Sequence, residues 1–183
     1  MRPTCLASDL RLLVVGDIFG RPARGCCLSE GLSSTEIIRC DLANLSGRPD
    51  LAGEALHAHL FERGAMGRVV DTITKLSNTP TVALGYSAGG TALWQAARHV
   101  PFLGLVCISS TRLRNETPVS VPTLTVFGGS DPHRPNDHWC ATVPTHVQIL
   151  PEAAHDFYCE TGSPRYAALQ STIAESFTNW HRA

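Results

Sequence analysis

Three side chains in this sequence have the types that acyl transfer needs: Ser87, Asp131 and His155, in that chain order. A serine hydroxyl is a weak nucleophile at neutral pH and needs a base beside it. Imidazole titrates near neutrality, so it is suited to take that proton and return it. A carboxylate behind the imidazole holds its tautomer and stabilises the imidazolium that forms. Ser87 stands inside Gly85-Tyr86-Ser87-Ala88-Gly89-Gly90, a Gly-x-Ser-x-Gly pattern. Thr81-Val82-Ala83-Leu84 before it reads as a buried strand, and Thr91 to Arg98 after it as a helix. A sharp strand-to-helix turn lifts the serine hydroxyl out of the sheet, and only small neighbours leave room for it. Ser87 would then stand at a helix N-terminus, whose free N–H groups can face a developing oxyanion. The plainer reading is a glycine-rich turn without chemistry; the flanking strand and helix favour the first.

The rest of the chain must position these groups. Leu10–Gly16 is an apolar run of the length of a buried parallel strand, ended by Asp17-Ile18-Phe19-Gly20-Arg21-Pro22. Pro22 suits the first turn of a helix to about Glu30, which Gly25 weakens. Thr35–Cys40 reads as a second strand. Leu51–Glu62 reads as a helix with Leu51, Ala55, Leu56 and Leu60 on one face, and Arg68–Leu76 as a helix burying Val69, Val70, Ile73 and Leu76. Pro101–Ser109, Val121–Phe127 and Thr145–Leu150 read as further strands. Thr111–Ser120 and the stretch from Gly128 to Pro144 read as polar loops. Pro164–His181 closes the chain as an amphipathic helix, with Ser163 as its cap and Tyr166, Leu169, Ile173 and Phe177 inward. Strands alternating with helices imply an α/β fold with a mostly parallel sheet of about six strands, helices on both faces, and one domain over residues 1–183. Ligands in such sheets bind beyond the carboxyl ends of the strands, where Asp17, Ser87, Asp131 and His155 all fall.

Competing groups are weighed by position. His57, His59, His99, His146 and His181 lie on predicted helices or a strand, where a satisfied histidine is the default. His133 and His138 stand near Asp131 and Asp137, but the spacing fits no metal motif, and a solvated loop partly lining an entrance is expected. Asp131 is either the triad carboxylate or a turn residue of Ser-Asp-Pro, with Asp137 as the fallback acid. Asp17 either orients the elbow or caps the helix expected after it. Arg21, Arg112 and Arg114 have the fork geometry to bind a substrate carboxylate, or are solvated. Trp139 and Tyr158 form pocket walls or pack in the core. Cys26 and Cys27 are adjacent, and neighbours in a helix rarely bridge.

The 183 residues suffice for a sizeable core, and a net charge of −1 gives no sign of a nucleic-acid or membrane partner. The basic residues are arginines but for Lys75 and are scattered. Met1–Ser8 lacks the apolar core of a signal peptide. Seven cysteines without CxxC spacing fit neither a disulfide framework nor a zinc site, and imply reduced thiols in a cytoplasm.

The chain resembles a small α/β-hydrolase and, within that superfamily, is most similar to the dienelactone hydrolase family. The matching pieces are Asp17-Ile18-Phe19-Gly20, Gly85–Gly90, Gly128-Gly129-Ser130-Asp131-Pro132 and Ala154-His155-Asp156-Phe157-Tyr158. They span the chain from about Leu10 onward. The resemblance implies an oxyanion hole from the N–H groups of Ile18 and Ala88. Tyr86 would flank the nucleophile, and Asp17 falls where these enzymes often carry an acid close to it. Phe19, Arg21 and Tyr158 would stand with them around the substrate. The dienelactone hydrolases proper use cysteine where this chain has Ser87, so their substrate and thiol activation do not carry over. The first strand comes almost at once, so the N-terminal hairpin of larger relatives is expected to be absent and a sheet edge to need cover, as in a homodimer. The expected activity is a serine hydrolase cleaving a carboxylester, lactone or thioester through a Ser87 acyl-enzyme, without metal or organic cofactor. The alternatives are a thioesterase or acyltransferase using the same triad, or a non-catalytic binding protein of this fold. The segments Asp41–Arg63 and Thr111–Ser120 are expected to set substrate choice.

Overall fold

The computed structural model describes residues 10–182 except 31, 33–35 and 78, with the Arg182 side chain also left out. The readings made on Met1–Ser8 and on Thr35 lie outside the described residues.

Six parallel strands form one sheet in the order β2-β1-β3-β4-β5-β6. They are β1 (Arg11–Val15), β2 (Glu36–Cys40), β3 (Thr81–Tyr86), β4 (Gly104–Ile108), β5 (Thr123–Gly128) and β6 (His146–Leu150). Every residue of β3, β4 and β5 is buried, which is why each reads as a continuous apolar or β-branched run rather than an alternating one. The two edges, β2 and β6, are more exposed, and Ile37, Val147 and Ile149 show there.

Alternate residues of the strands feed two separate cores. Leu13 and Val15 pack with α1 (Leu42–Leu45), α2 (Gly53–Phe61), α3 (Met66–Leu76), α4 (Ala88–Ala96) and α5 (Asp137–Thr142). Leu12 and Val14 pack on the other face with Leu28, Phe157 and α6 (Pro164–Arg182). The inward residues of α6 are the expected Tyr166, Leu169, Ile173 and Phe177, all buried, and Ser163 caps it by accepting from the Tyr166 N–H at 3.1 Å. Among the described residues no helix is long and apolar enough to cross a membrane.

The strand order reverses direction between β1 and β3: the chain leaves β1 for one edge, then returns beside β1 and builds toward the other. Loops after such a pair diverge and leave a crevice at the carboxyl ends of the strands. The loop carrying Asp17 and the turn carrying Ser87 flank it.

Four expectations need correction. Residues 22–30 form turns, not a helix. Gly25 has φ +88, outside helical space. The Leu28 N–H also donates to the Tyr86 hydroxyl at 3.0 Å, and the Tyr166 hydroxyl donates to the Cys26 carbonyl. Thr111–Ser120 is not simply a polar loop: Thr111–Asn115 is a 3-10 turn that buries Leu113. The stretch after Asp131 contains α5, capped by the Asn136 side chain on the Trp139 N–H at 2.9 Å. Ala55 faces solvent, and Gly53 joins Leu56 and Leu60 on the buried face of α2.

Candidate active site

The turn at Ser87 follows from close packing of backbone on backbone. Ser87 has φ 48° and ψ −117°, a conformation that costs a non-glycine residue energy and persists only where its surroundings dictate it. Its N–H donates to the Ile108 carbonyl at 2.7 Å, tying the turn to β4. A Cβ at Gly85 would lie 2.5 Å from Gly90 Cα, and one at Gly89 would lie 2.6 Å from the Val15 carbonyl oxygen. The glycines of the motif are thus needed where α4 starts against β3 and β1.

The histidine and the aspartate arrive on loops laced to one another. After β5, Gly129 and Ser130 donate their N–H groups to Leu150 and Ala153 at 2.8 and 3.0 Å, joining the acid loop to the chain after β6. The Ser109 hydroxyl, on a residue with φ 49°, donates to the His155 carbonyl at 2.6 Å. Asp131 is 3 % exposed. One of its oxygens accepts the His133 N–H at 2.9 Å, and the other accepts from His155 Nδ1 at 2.6 Å. His155 Nε2 accepts from Ser87 Oγ at 3.2 Å. Ser87, His155 and Asp131 therefore form one hydrogen-bonded chain from a partly exposed hydroxyl to a buried carboxylate. Asp137 does not compete, since it is exposed and paired with Arg134 at 2.9 Å.

Asp17 lies on the other side of Ser87 and is 1 % exposed. It caps no helix. Its Oδ1 accepts the N–H groups of Phe19 and Arg21, each at 2.8 Å. Its Oδ2 accepts Arg21 Nε at 3.0 Å and the Tyr158 hydroxyl at 2.9 Å. The turn that carries Ile18 is thereby wound around one carboxylate. The Ile18 carbonyl also accepts the Gly53 N–H at 2.8 Å, fixing the turn to the start of α2. Burial, then the charge of Asp17, pushes the Tyr158 hydroxyl far above the ordinary tyrosine range, so it remains a donor. Burial works against the Arg21 charge, yet Asp17 beside it raises that guanidinium above its usual value. Ala88 is the first residue of α4, so its N–H is one of those without an intrahelical partner.

A cavity of about 400 Å³ opens at Ser87 and His155. Asp17, Ile18, Phe19 and Arg21 line it from the first loop, and Tyr158 from the last. Phe19 is 55 % exposed at its mouth, with the Arg21 guanidinium 4.7 Å above its ring. Both segments expected to govern substrate choice reach it, through Glu54 and His57 of α2 and through Thr111, Arg112 and Arg114 of the 3-10 turn. His133 completes the wall. Glu54, His57 and Thr111 were not legible as site residues, because only the seating of α2 and of the 3-10 turn on the sheet brings them there.

One expected neighbour of the substrate, Tyr86, is elsewhere, and Trp139 takes the core alternative. Tyr86 is fully buried on the α6 side of the sheet, its hydroxyl 3.1 Å from Cys27 Sγ, and it does not line the cavity. A strand alternates its side chains, so the residue before Ser87 points away from it. Trp139 is likewise a core residue, packed on Trp94 and Phe127, with Nε1 donating to the Glu116 carbonyl at 3.0 Å. Among the described residues, no three His, Cys, Asp or Glu side chains converge as metal ligands.

No protein-family model matches this sequence, and no curated protein matches it. Solved structures do resemble it. A protein of Xanthomonas campestris assigned to the α/β-hydrolase superfamily superposes with a TM-score of 0.65 at 18 % identity, over 95 % of this chain and 99 % of the other. A dienelactone hydrolase of Anabaena variabilis gives 0.59 at 19 % identity, over 95 % and 85 %. The RedJ thioesterase of prodiginine biosynthesis in Streptomyces coelicolor gives 0.60 at 14 % identity, over 92 % and 86 %. At these identities the likeness is one of fold: the chain has the α/β-hydrolase fold.

Proposed function

We propose that this protein is a serine hydrolase that cleaves an ester-type bond, in a carboxylester, lactone or thioester, through an acyl-enzyme on Ser87. The observation that carries the proposal is the Ser87–His155–Asp131 hydrogen-bonded chain, at 3.2 and 2.6 Å, opening on a cavity beside a strained elbow.

Ser87 Oγ attacks the carbonyl carbon while its proton passes to His155 Nε2. Asp131 Oδ2 holds the Nδ1–H and stabilises the imidazolium. The carbonyl oxygen becomes an oxyanion between the N–H groups of Ile18 and Ala88. The intermediate collapses, the bond to the alcohol or thiol breaks, and the leaving group takes the proton from Nε2. Water then attacks the acyl-enzyme, giving its proton to His155; collapse returns that proton to Ser87 and releases the acid. The sequence needs no metal or organic cofactor. Fold neighbours that include a dienelactone hydrolase and a thioesterase support cleavage of this general bond class. The thioesterase also keeps a thioester substrate, with water or another acceptor at the second step, as the alternative reading. We take the described α/β unit to act as one domain. The six described cysteines are free thiols, and a reducing cytoplasm is the compartment we propose.

A fluorophosphonate probe tests the proposal. Wild type is expected to label and Ser87→Ala to lose all labelling while remaining folded. A folded wild type that stays unlabelled would leave the fold as a non-catalytic binding module.

A further inference from the structure

The end of β4 holds Ser87 and His155 from behind. The Ile108 carbonyl accepts the Ser87 N–H at 2.7 Å and the Ser110 hydroxyl at 3.3 Å. Ser110 also packs on the first turn of α4, where a Cβ at Gly90 would collide with its Oγ. Ser109, between them, donates its hydroxyl to the His155 carbonyl at 2.6 Å. The short segment Ile108–Ser110 therefore grips both the Ser87 turn and the His155 loop.

His155 has few other anchors. Among the described residues its backbone makes no hydrogen bond to another backbone group. The chain just before it rests on the end of β5, where a Cβ at Gly128 would collide with the Ala153 and Ala154 carbonyl oxygens. The ring itself is tied to Asp131 at 2.6 Å and to Ser87 at 3.2 Å. The Ser109 backbone, in contrast, is fixed at both groups: its N–H donates to the Val126 carbonyl at 2.8 Å, and its carbonyl accepts the Thr111 N–H at 2.9 Å. Ser109 is fully buried, has φ 49° and does not line the cavity. Glycine takes that φ freely, whereas serine is strained in it. What serine adds at this position is the hydroxyl, and among the described residues the His155 carbonyl is its partner.

We infer that Ser109 is a positioning residue, whose hydroxyl holds the His155 main chain so that Nε2 stays within reach of Ser87 Oγ. This rests on the proposed reading of Ser87 and His155 as nucleophile and base. Asp131 fixes the direction of the imidazole, and Ser109 fixes the point of the chain from which it hangs. Two loops that follow different strands, β3 and β6, are thereby referred to one strand end, that of β4. A side chain that acts through geometry alone weakens the transition state, which needs Ser87, His155 and the carbonyl in line, more than it weakens binding of the ester.

Ser109→Ala and Ser109→Gly test it together, with circular dichroism to confirm the fold. Both lose the hydroxyl. The glycine also sheds the strain at this φ, so its urea midpoint is expected above that of the alanine variant. With p-nitrophenyl butyrate, kcat is expected to fall about tenfold in both, with KM within about twofold, and fluorophosphonate labelling of Ser87 to slow alongside. Rates that followed stability, with the glycine variant as fast as wild type, would overturn the inference, as would a loss confined to KM. A readout without chemistry separates it from the hydrolase reading. In long-range proton–nitrogen NMR spectra, wild-type His155 is expected to show the single tautomer protonated on Nδ1, and both variants a mixture of tautomers. An unchanged tautomer in both variants would overturn the positioning role, however active the enzyme. A wild type that neither labels nor turns over ester would overturn the hydrolase reading, and the same spectra would still decide the role of Ser109.

Discussion

Asp17 uses both carboxylate oxygens to organise a turn, accepting two backbone N–H groups, Arg21 Nε and the Tyr158 hydroxyl. Tyr158 follows His155 by three residues and packs on Tyr86 with centroids 5.3 Å apart. One buried carboxylate therefore ties the Ile18 turn, the elbow strand and the histidine loop together. If the Ile18 N–H meets the oxyanion, slackening that tie weakens the transition state more than the bound ester. Tyr158→Phe removes a single hydroxyl and keeps the ring. We expect kcat to fall about tenfold with KM within about twofold, since a misplaced donor costs less than a missing one, which is worth about 10²–10³-fold. Steady-state kinetics on an ester substrate, with circular dichroism to check folding, would decide it; a fall confined to KM would argue for substrate contact instead. Asp131→Asn tests the other arm. The amide leaves the geometry near intact but disfavours the tautomer that accepts from Ser87, so kcat is expected to drop by about 10⁴. An unchanged rate would remove Asp131 from the triad.

At the scale of elements, the elbow exists because α4 begins where a side chain cannot fit. Gly89→Ala would set a Cβ 2.6 Å from the Val15 carbonyl oxygen, and backbone at a strand end has no rotamer by which to give way. We expect a loss of about 3 kcal/mol, read as a shift in the urea midpoint, together with slower probe labelling as the turn is pushed off β1. A variant as stable as wild type would mean the elbow relaxes freely. The same elements explain what could be read from the chain. β3, β4 and β5 were legible because strands buried on both faces are unbroken apolar runs, and α6 because its buried positions keep the helical period. The loops after β3, β5 and β6 could then be ranked by chemistry, which singled out Ser87, Asp131 and His155, three side chains the fold joins by hydrogen bonds. The 3-10 turn and α5 were illegible for a physical reason. They bury little, essentially Leu113 in one and Trp139 with Cys140 in the other, and are set by tertiary bonds such as Trp139 Nε1 to the Glu116 carbonyl. Residues 22–30 misled because proline at the start of a helix and proline at the start of a loop look alike in sequence. The cavity wall of His57, Arg112 and Arg114 depends on how two elements seat over the sheet edge, and local pattern does not encode that.

Over the whole molecule, the chain's three tyrosines share one task. Tyr158 bonds Asp17, Tyr166 bonds the Cys26 carbonyl, and Tyr86 accepts the Leu28 N–H at 3.0 Å. Among the described residues the segment after β1 has no helix of its own, and these hydroxyls fasten it across the sheet's α6 face and the cavity. Burial is the main cause that raises all three above the ordinary tyrosine value, aided by Cys27 for Tyr86, by Asp17 for Tyr158 and by Cys27 for Tyr166. A raised folded value means the folded state keeps protons that the unfolded chain gives up above about pH 10. Stability is then complete below that pH and declines as pH rises through it, by up to about 1.4 kcal/mol per pH unit for the fully buried Tyr86. Urea midpoints measured between pH 8 and pH 11 are expected to fall along that limb, with tyrosinate absorbance appearing together with unfolding rather than ahead of it. Tyr86→Phe should start less stable, having left the Leu28 N–H without its acceptor, yet lose less per pH unit. If tyrosinate appeared while the fold stayed intact, the hydroxyls would be reachable by solvent, and the fastening of the first loop would have to come from Asp17 and the Gly53 N–H alone.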